Sequence, residues 1–231
     1  MKRRILISPA DSKLVENLSK HNIECYSALR LEGVPHMEQY HADMQVLRIN
    51  DTVFVAECFY EAYGKLFSCK LNIIPVDSPA GAYPHNIALN AAFVSGRLFC
   101  KKSSLADEVK IYCEKNCIEI VDVKQGYAKC STLILGDKGI VTADSGIAAA
   151  AEKCGIDVLK IRSGFINFEG ADYGFIGGSS GLIGETVAFF GDISMHPDGE
   201  AVTAFIRQKG LNYLSLGEEI LNDVGGLILL D

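Results

Sequence analysis

The chain has 231 residues, 48% hydrophobic and 22% charged, with a formal net charge of −7. That length and apolar share support one core and a single domain over 1–231. The acidic balance, with no basic stripe interleaved with aromatics, argues against nucleic acid as a partner. No apolar run approaches the roughly 20 residues of a membrane span.

In chain order, Met1-Lys2-Arg3-Arg4 is basic, but the apolar stretch after it stops at Ser8-Pro9, too short for a secretory leader. A cytoplasmic location and reduced thiols are therefore expected for the eight cysteines. Arg4-Ile5-Leu6-Ile7 reads as a strand, and Leu14, Leu18 and His21 after Asp11-Ser12 have helical spacing. A unit then opens at His41-Ala42-Asp43-Met44-Gln45-Val46-Leu47. It continues through Val53-Phe54-Val55, a helical stretch over 59–67, and Asn72-Ile73-Ile74-Pro75-Val76. The next opens at Pro84-His85-Asn86-Ile87-Ala88-Leu89 and continues through Arg97-Leu98-Phe99, a helix over 105–117, and Ile118-Glu119-Ile120-Val121. Another opens at Lys129-Cys130-Ser131-Thr132-Leu133-Ile134-Leu135, followed by Gly139-Ile140-Val141-Thr142, a helix over 147–154, and Asp157-Val158-Leu159-Lys160-Ile161. The fourth opens at Gly177-Gly178-Ser179-Ser180-Gly181-Leu182-Ile183, followed by Thr186-Val187-Ala188-Phe189-Phe190, a helix over 199–209, and Leu211-Asn212-Tyr213-Leu214. Finally, Gly225-Gly226-Leu227-Ile228-Leu229-Leu230 reads as a first strand, and it completes the copy begun at the N-terminus.

The openings recur roughly every 41 to 50 residues, as in a repeat array. Short apolar runs flanked by turn residues read as strands, and the intervening helices make the class α/β. The expected architecture is five ββαβ units in a pseudo-fivefold propeller, with the fifth unit closed by the two chain ends. Asp11-Ser12, Ser103-Ser104, Asp144-Ser145 and Pro197-Asp198 are placed to cap helices through side-chain oxygens. Gly155 and Gly210 follow two helices as C-cap glycines.

Rotationally related units bring equivalent residues to one axis. The openings would then cluster His41, Asp43, His85, Asn86, Cys130, Ser131, Ser179 and Ser180 at one mouth of a central channel. A thiol, an imidazole and a carboxylate converging there make a nucleophile, a proton carrier and an orienting group. Cys130, His41 and Asp43 are the candidate catalytic residues, and His85, Asn86, Ser131, Ser179 and Ser180 the candidate substrate contacts. The other cysteines read as small core fillers. Cys113 and Cys117 lie one helical turn apart with no second pair at zinc spacing, so no metal is expected. A mixed site of His41, Asp43, His85 and Cys130 is the weaker metal or redox reading.

Five ββαβ units around a pseudo-fivefold axis resemble the pentein, or guanidine-modifying-enzyme, fold. Its members include dimethylargininase, arginine deiminase, the amidinotransferases and a non-enzymatic, ring-shaped translation factor. His41-Ala42-Asp43 resembles the H-x-D opening that supplies the catalytic histidine of arginine deiminases. Asn86-Ile87-Ala88-Leu89-Asn90 resembles the asparagine-bounded strand of the next unit. Cys130-Ser131-Thr132-Leu133-Ile134 resembles the opening that carries the nucleophilic cysteine of dimethylargininases, two units after the histidine as in the family. Cys130 lies mid-chain, where family enzymes keep it near the C-terminus, so the chain would be a circular shift of them.

The resemblance implies a cysteine-dependent hydrolase or transferase acting on an amidine, guanidine or amide-like C–N bond. Cys130 would be the nucleophile and His41 the general acid and base. No cofactor is implied, and the partner would be a small-molecule substrate in the central channel. The alternative is a non-catalytic binding ring. One departure matters: family enzymes keep a G-G-D aspartate for the guanidinium, and this chain has Gly225-Gly226-Leu227. The charge-assisted contacts of that acid are therefore expected to be missing, with Glu185 of Gly184-Glu185-Thr186 as a candidate replacement.

Overall fold

The computed structural model describes residues 2–231. In chain order the elements are β1 (Arg3–Ile7), α1 (Ser12–Lys20), β2 (Ile23–Ser27), α2 (Ala42–Gln45), β3 (Val46–Ile49), β4 (Thr52–Ala56), α3 (Tyr60–Gly64) and β5 (Asn72–Val76). They continue with β6 (Ala92–Val94), β7 (Arg97–Cys100), α4 (Asp107–Lys115), β8 (Glu119–Asp122), β9 (Thr132–Ile134), β10 (Ile140–Thr142), α5 (Ser145–Lys153) and β11 (Val158–Lys160). The last are β12 (Ser180–Ile183), β13 (Thr186–Phe189), α6 (Gly199–Gln208), β14 (Asn212–Ser215) and β15 (Ile228–Leu229).

The strands form five three-stranded sheets, ordered β15-β1-β2, β3-β4-β5, β6-β7-β8, β9-β10-β11 and β12-β13-β14. In every sheet the first pair is antiparallel and the second parallel. Chain length forces this alternation, because a tight turn reverses direction whereas a helical crossover restores it. Asn50 and Ser95 hold left-handed φ values of 53° and 50° in two of those turns, a conformation that tight reversal demands. The fifth sheet joins the chain ends, pairing Ile5 with Leu229 and Leu6 with Ile228. Five repeated units with the fifth split between the termini match the sequence pattern.

Helices cover the sheets through their apolar faces. Leu18 of α1, Val109 and Cys113 of α4, Ile147 and Ala151 of α5, and Val202 and Ile206 of α6 are all buried. Each buried aliphatic side chain contributes about 1.5–3 kcal/mol relative to exposure. The first strands adjoin one another across units, β3 beside β15 and β9 beside both β6 and β12. No helix among the described residues is long and apolar enough to cross a membrane.

Several local expectations need correcting. The opening segments are turns ahead of the strands. The second unit's first strand is Ala92–Val94 and not the stretch through Leu89. Each opening closes on itself through a backbone bond, such as Met44 N–H to His41 O, Asn90 N–H to Ile87 O, and Thr132 N–H to Lys129 O. Asp11 and Asp144 cap helices as expected, accepting from Leu14 and Ile147 backbone N–H. Ser103-Ser104 does not cap, because it lies in a separate 3-10 turn and α4 starts from Ala106. Asp198 makes no cap bond either; its carboxylate is taken by the Arg162 guanidinium. Gly155 and Gly210 follow α5 and α6 with φ of 75° and 68°, as C-terminal glycines should.

Candidate active site

Two of the turns bring Cys130, Asp43 and His41 together. One ligating atom from each lies within 4.8 Å of the others. All three are buried. The Cys130 thiol donates to Asp43 Oδ2 at 2.9 Å. Asn90 Nδ2 donates back to Cys130 Sγ at 3.1 Å. The same amide accepts from the Lys129 and Cys130 backbone N–H groups through Oδ1. Asn90 therefore clamps the turn that presents the thiol.

Asp43 sits at the start of α2, and its other oxygen, Oδ1, is buried with no hydrogen-bond partner. An orphaned buried carboxylate oxygen is costly, and it is an acceptor waiting for a donor. Burial pushes the Asp43 carboxyl up to about 7, opposed by Lys129 and by the thiol's hydrogen bond. Burial also raises the Cys130 thiol well above its ordinary value, and the neighbouring Asp43 adds to that. His41 packs against Phe168 with ring centroids 5.3 Å apart, and burial lowers it to about 4. The site thus holds a neutral thiol and a neutral imidazole at neutral pH.

Sequence reasoning missed two acids here. Asp223 is 4% exposed, accepting from Phe175 N–H at 2.8 Å and Gly225 N–H at 3.0 Å. Burial raises it to about 6. Gly225 permits this turn: its φ is +75°, and a Cβ there would lie 2.4 Å from His41 Cβ. Glu38 accepts from Tyr127 Oη at 2.8 Å and from Asn86 Nδ2; burial raises it too. Glu38, His41, Cys130 and Asp223 all face one cavity of about 270 Å³, whose remaining wall includes Tyr127, Phe168, Tyr173 and Phe175. The G-G-D position itself stays without a carboxylate. Leu227 belongs to the apolar core, while Asp223 and Glu38 put carboxylates at the pocket from other turns. Their signal was available as a polar side chain two or three residues ahead of an opening: Glu38 before His41, Tyr127 before Cys130, and Asp223 before Gly225.

The other candidates are placed as follows. Asn86 belongs to the polar relay, donating to Glu38 and Tyr127, with its own Oδ1 buried and unpartnered. Ser131 is buried with an unpartnered hydroxyl and lines a separate pocket of about 110 Å³ beside Tyr173 and Phe175. Ser179 and Ser180 donate to Ile176 O, satisfied within their own turn and outside this cavity's lining. His85 and Glu185 are exposed; neither lines the cavity, and Glu185 sits at the β12–β13 hairpin turn, bonding Asn212 through its backbone. Of the four groups in the metal reading, His85 stays outside. His41, Asp43 and Cys130 could each offer one ligand atom, but the thiol proton already lies in the bond to Asp43.

This arrangement sits on the pentein fold. Dimethylarginine dimethylaminohydrolase from Pseudomonas aeruginosa in complex with citrulline superposes with TM-score 0.58 at 11% identity, covering 99% of each chain. A dimethylarginine dimethylaminohydrolase adduct with S-methyl-L-thiocitrulline gives 0.55 at 11%, covering 99% of this chain and 100% of that one. The cyanobacterial arginine dihydrolase ArgZ gives 0.57 at 12%, covering all of this chain and 40% of that one. The likeness is one of fold. By sequence, the chain belongs to DUF6873, a family of unknown function whose profile matches residues 6–228. No curated protein matches it by sequence.

Proposed function

We propose that the protein is a cysteine-dependent hydrolase of an amidinium-type C–N bond, a guanidine or an amidine, working at the mouth of a five-unit propeller. The observation that carries this is the Cys130–Asp43–His41 cluster beneath a cavity bordered by Glu38 and Asp223. A planar cation entering there would donate N–H bonds to the Glu38 and Asp223 carboxylates, contacts strengthened by charge and by exclusion of water. Its charge would also lower the thiol pKa, which burial and Asp43 hold high.

The steps balance as follows. His41 takes the thiol proton, and the Cys130 sulfur forms a bond to the amidinium carbon. The C–N bond breaks as His41 returns that proton to the leaving amine. Water then adds to the same carbon, giving a proton to His41. The C–S bond breaks, the thiolate recovers its proton from His41, and the hydroxyl proton lost as C=O forms goes to the released amine. One water is consumed, one amine is released, and a C–N bond becomes a C=O bond. The eight cysteines are all free thiols, which suits a reducing cytoplasm.

Cationic 2-chloroacetamidine is the direct test. It is expected to alkylate Cys130 ahead of the exposed Cys58, Cys69 and Cys117. Slower labelling at Cys130 than at those thiols overturns the hydrolase. The non-catalytic ring is the second reading, favoured by the neutral buried thiol. It requires Cys130→Ser to leave ligand binding unchanged and the wild type to release no amine from any amidinium compound.

A further inference from the structure

The cavity above Cys130 is walled by rings. Tyr127 stacks on Phe175 with centroids 6.3 Å apart, Tyr173 meets Phe175 edge-on at 6.1 Å, and Tyr83 extends the stack from Tyr127 at 5.7 Å. On the opposite side Phe168 packs against His41. The charged groups among its described lining residues are acids, Glu38 and Asp223; none is Lys or Arg. The adjoining cavity that shares Met37, His41, Phe168 and Asp223 adds Glu169 and again no Lys or Arg. The small pocket behind Tyr173 and Phe175 adds Asp144 and likewise lacks both. Lys129, next to Cys130 in sequence, lowers Asp43 and Asp223 through space, but its ammonium donates to Gly177 O at 3.1 Å and lines a separate cavity between the first strands.

From this we infer the substrate class: a carboxylate-free amidinium or guanidinium compound whose substituent is apolar or aromatic. The inference rests on the reading that Cys130 attacks an amidinium carbon. Aromatic faces attract a cation and its apolar substituent together, and the charged groups on the same wall, Glu38 and Asp223, are acceptors for its N–H donors. A substrate carboxylate, by contrast, would enter among Glu38, Glu169 and Asp223 with no Lys or Arg on the wall to pair it. An uncompensated anion among like charges is rejected, and rejection sets specificity as much as attraction does.

Matched pairs test this by calorimetric binding to the Cys130→Ser protein, which cannot turn over. Benzamidine is compared with 4-amidinobenzoate, and butylguanidine with 4-guanidinobutyrate. The carboxylate-free member of each pair is expected to bind at least about tenfold tighter. Equal or tighter binding of the carboxylates overturns the inference and leaves the amidinium reading standing. No binding by any of the four removes both. Ala171 is exposed on the cavity wall, so Ala171→Arg tests the electrostatic cause without disturbing the core. It is expected to narrow the gap within each pair at least about threefold, and an unchanged gap counts against the proposal.

Discussion

The two ends of the first strands share one repeat and differ in almost everything else. At one end the turns ahead of the strands hold Glu38, Asp43, Cys130 and Asp223, with buried acceptors left unsatisfied. At the other, the strands themselves enclose a cavity of about 400 Å³. Its wall takes Leu47 from β3, Phe93 from β6, Leu133 from β9, Leu182 from β12 and Ile228 from β15. Strand positions pack against neighbouring units and select apolar side chains. Turn positions owe the sheet no ladder and can carry charge. The scaffold therefore gathers apolar side chains at one end and buried acids at the other.

The sharpest break in that comparison is Cys130→Ser. It is nearly isosteric, so near-ultraviolet circular dichroism should be unchanged, while amine release falls at least about 10³-fold. Retained turnover would mean that the polar end is not the reacting end.

Two glycines in one segment separate the ends next. A Cβ at Gly178 would lie 1.9 Å from Asp223 Oδ1, and one at Gly181 would lie 2.4 Å from Leu227 Cγ. Gly178→Ala is expected to cost about 3 kcal/mol and to lose activity, because a buried carboxylate must move. Gly181→Ala is expected to cost about 1–2 kcal/mol and keep activity within about threefold, because a leucine side chain can shift. Urea midpoints with parallel rate measurements check both; loss of activity in the second and not the first would invert the comparison.

A smaller effect lies in pH. Folding raises Asp43 from its ordinary value to about 7, so its contribution is full below pH 4 and is lost as pH rises through 7. His41, lowered to about 4, works oppositely, its contribution being lost as pH falls from about 6.5. Asp43→Asn keeps an acceptor for the thiol and removes only the first of these. Its stability relative to wild type should rise between pH 5 and 7.5 in urea titrations, and a flat difference would mean that Asp43 titrates normally.

The least effect is expected away from both ends. His85→Ala and Glu185→Ala alter exposed side chains. Stability should stay within about 0.5 kcal/mol, and any turnover within about twofold.

The repeat was legible because hydrophobic period is a local property. Strands β4, β5, β10 and β13 lie where the apolar runs put them, and the split fifth unit follows from Gly225 to Leu230 having no other partner. Helix limits were less legible. Ser103-Ser104 has cap chemistry, yet a 3-10 turn took it, and α3 ends at Gly64 and not near Phe67.

In the site, aligned openings singled out His41, Asp43 and Cys130, which do converge. The same alignment assigned His85, Ser179 and Ser180 to the pocket, and tertiary structure placed them elsewhere. A turn residue's direction depends on φ and on what its neighbours need: the two serine hydroxyls satisfy Ile176 O, and His85 faces solvent. Sequence alone determined a five-unit α/β chain with a thiol, an imidazole and a carboxylate at corresponding turns. Only the tertiary structure decided the electrostatics, because Asp223 and Glu38 reach the thiol from turns far away in sequence. Burial, which no local pattern reports, is what raises those two carboxyls and the thiol.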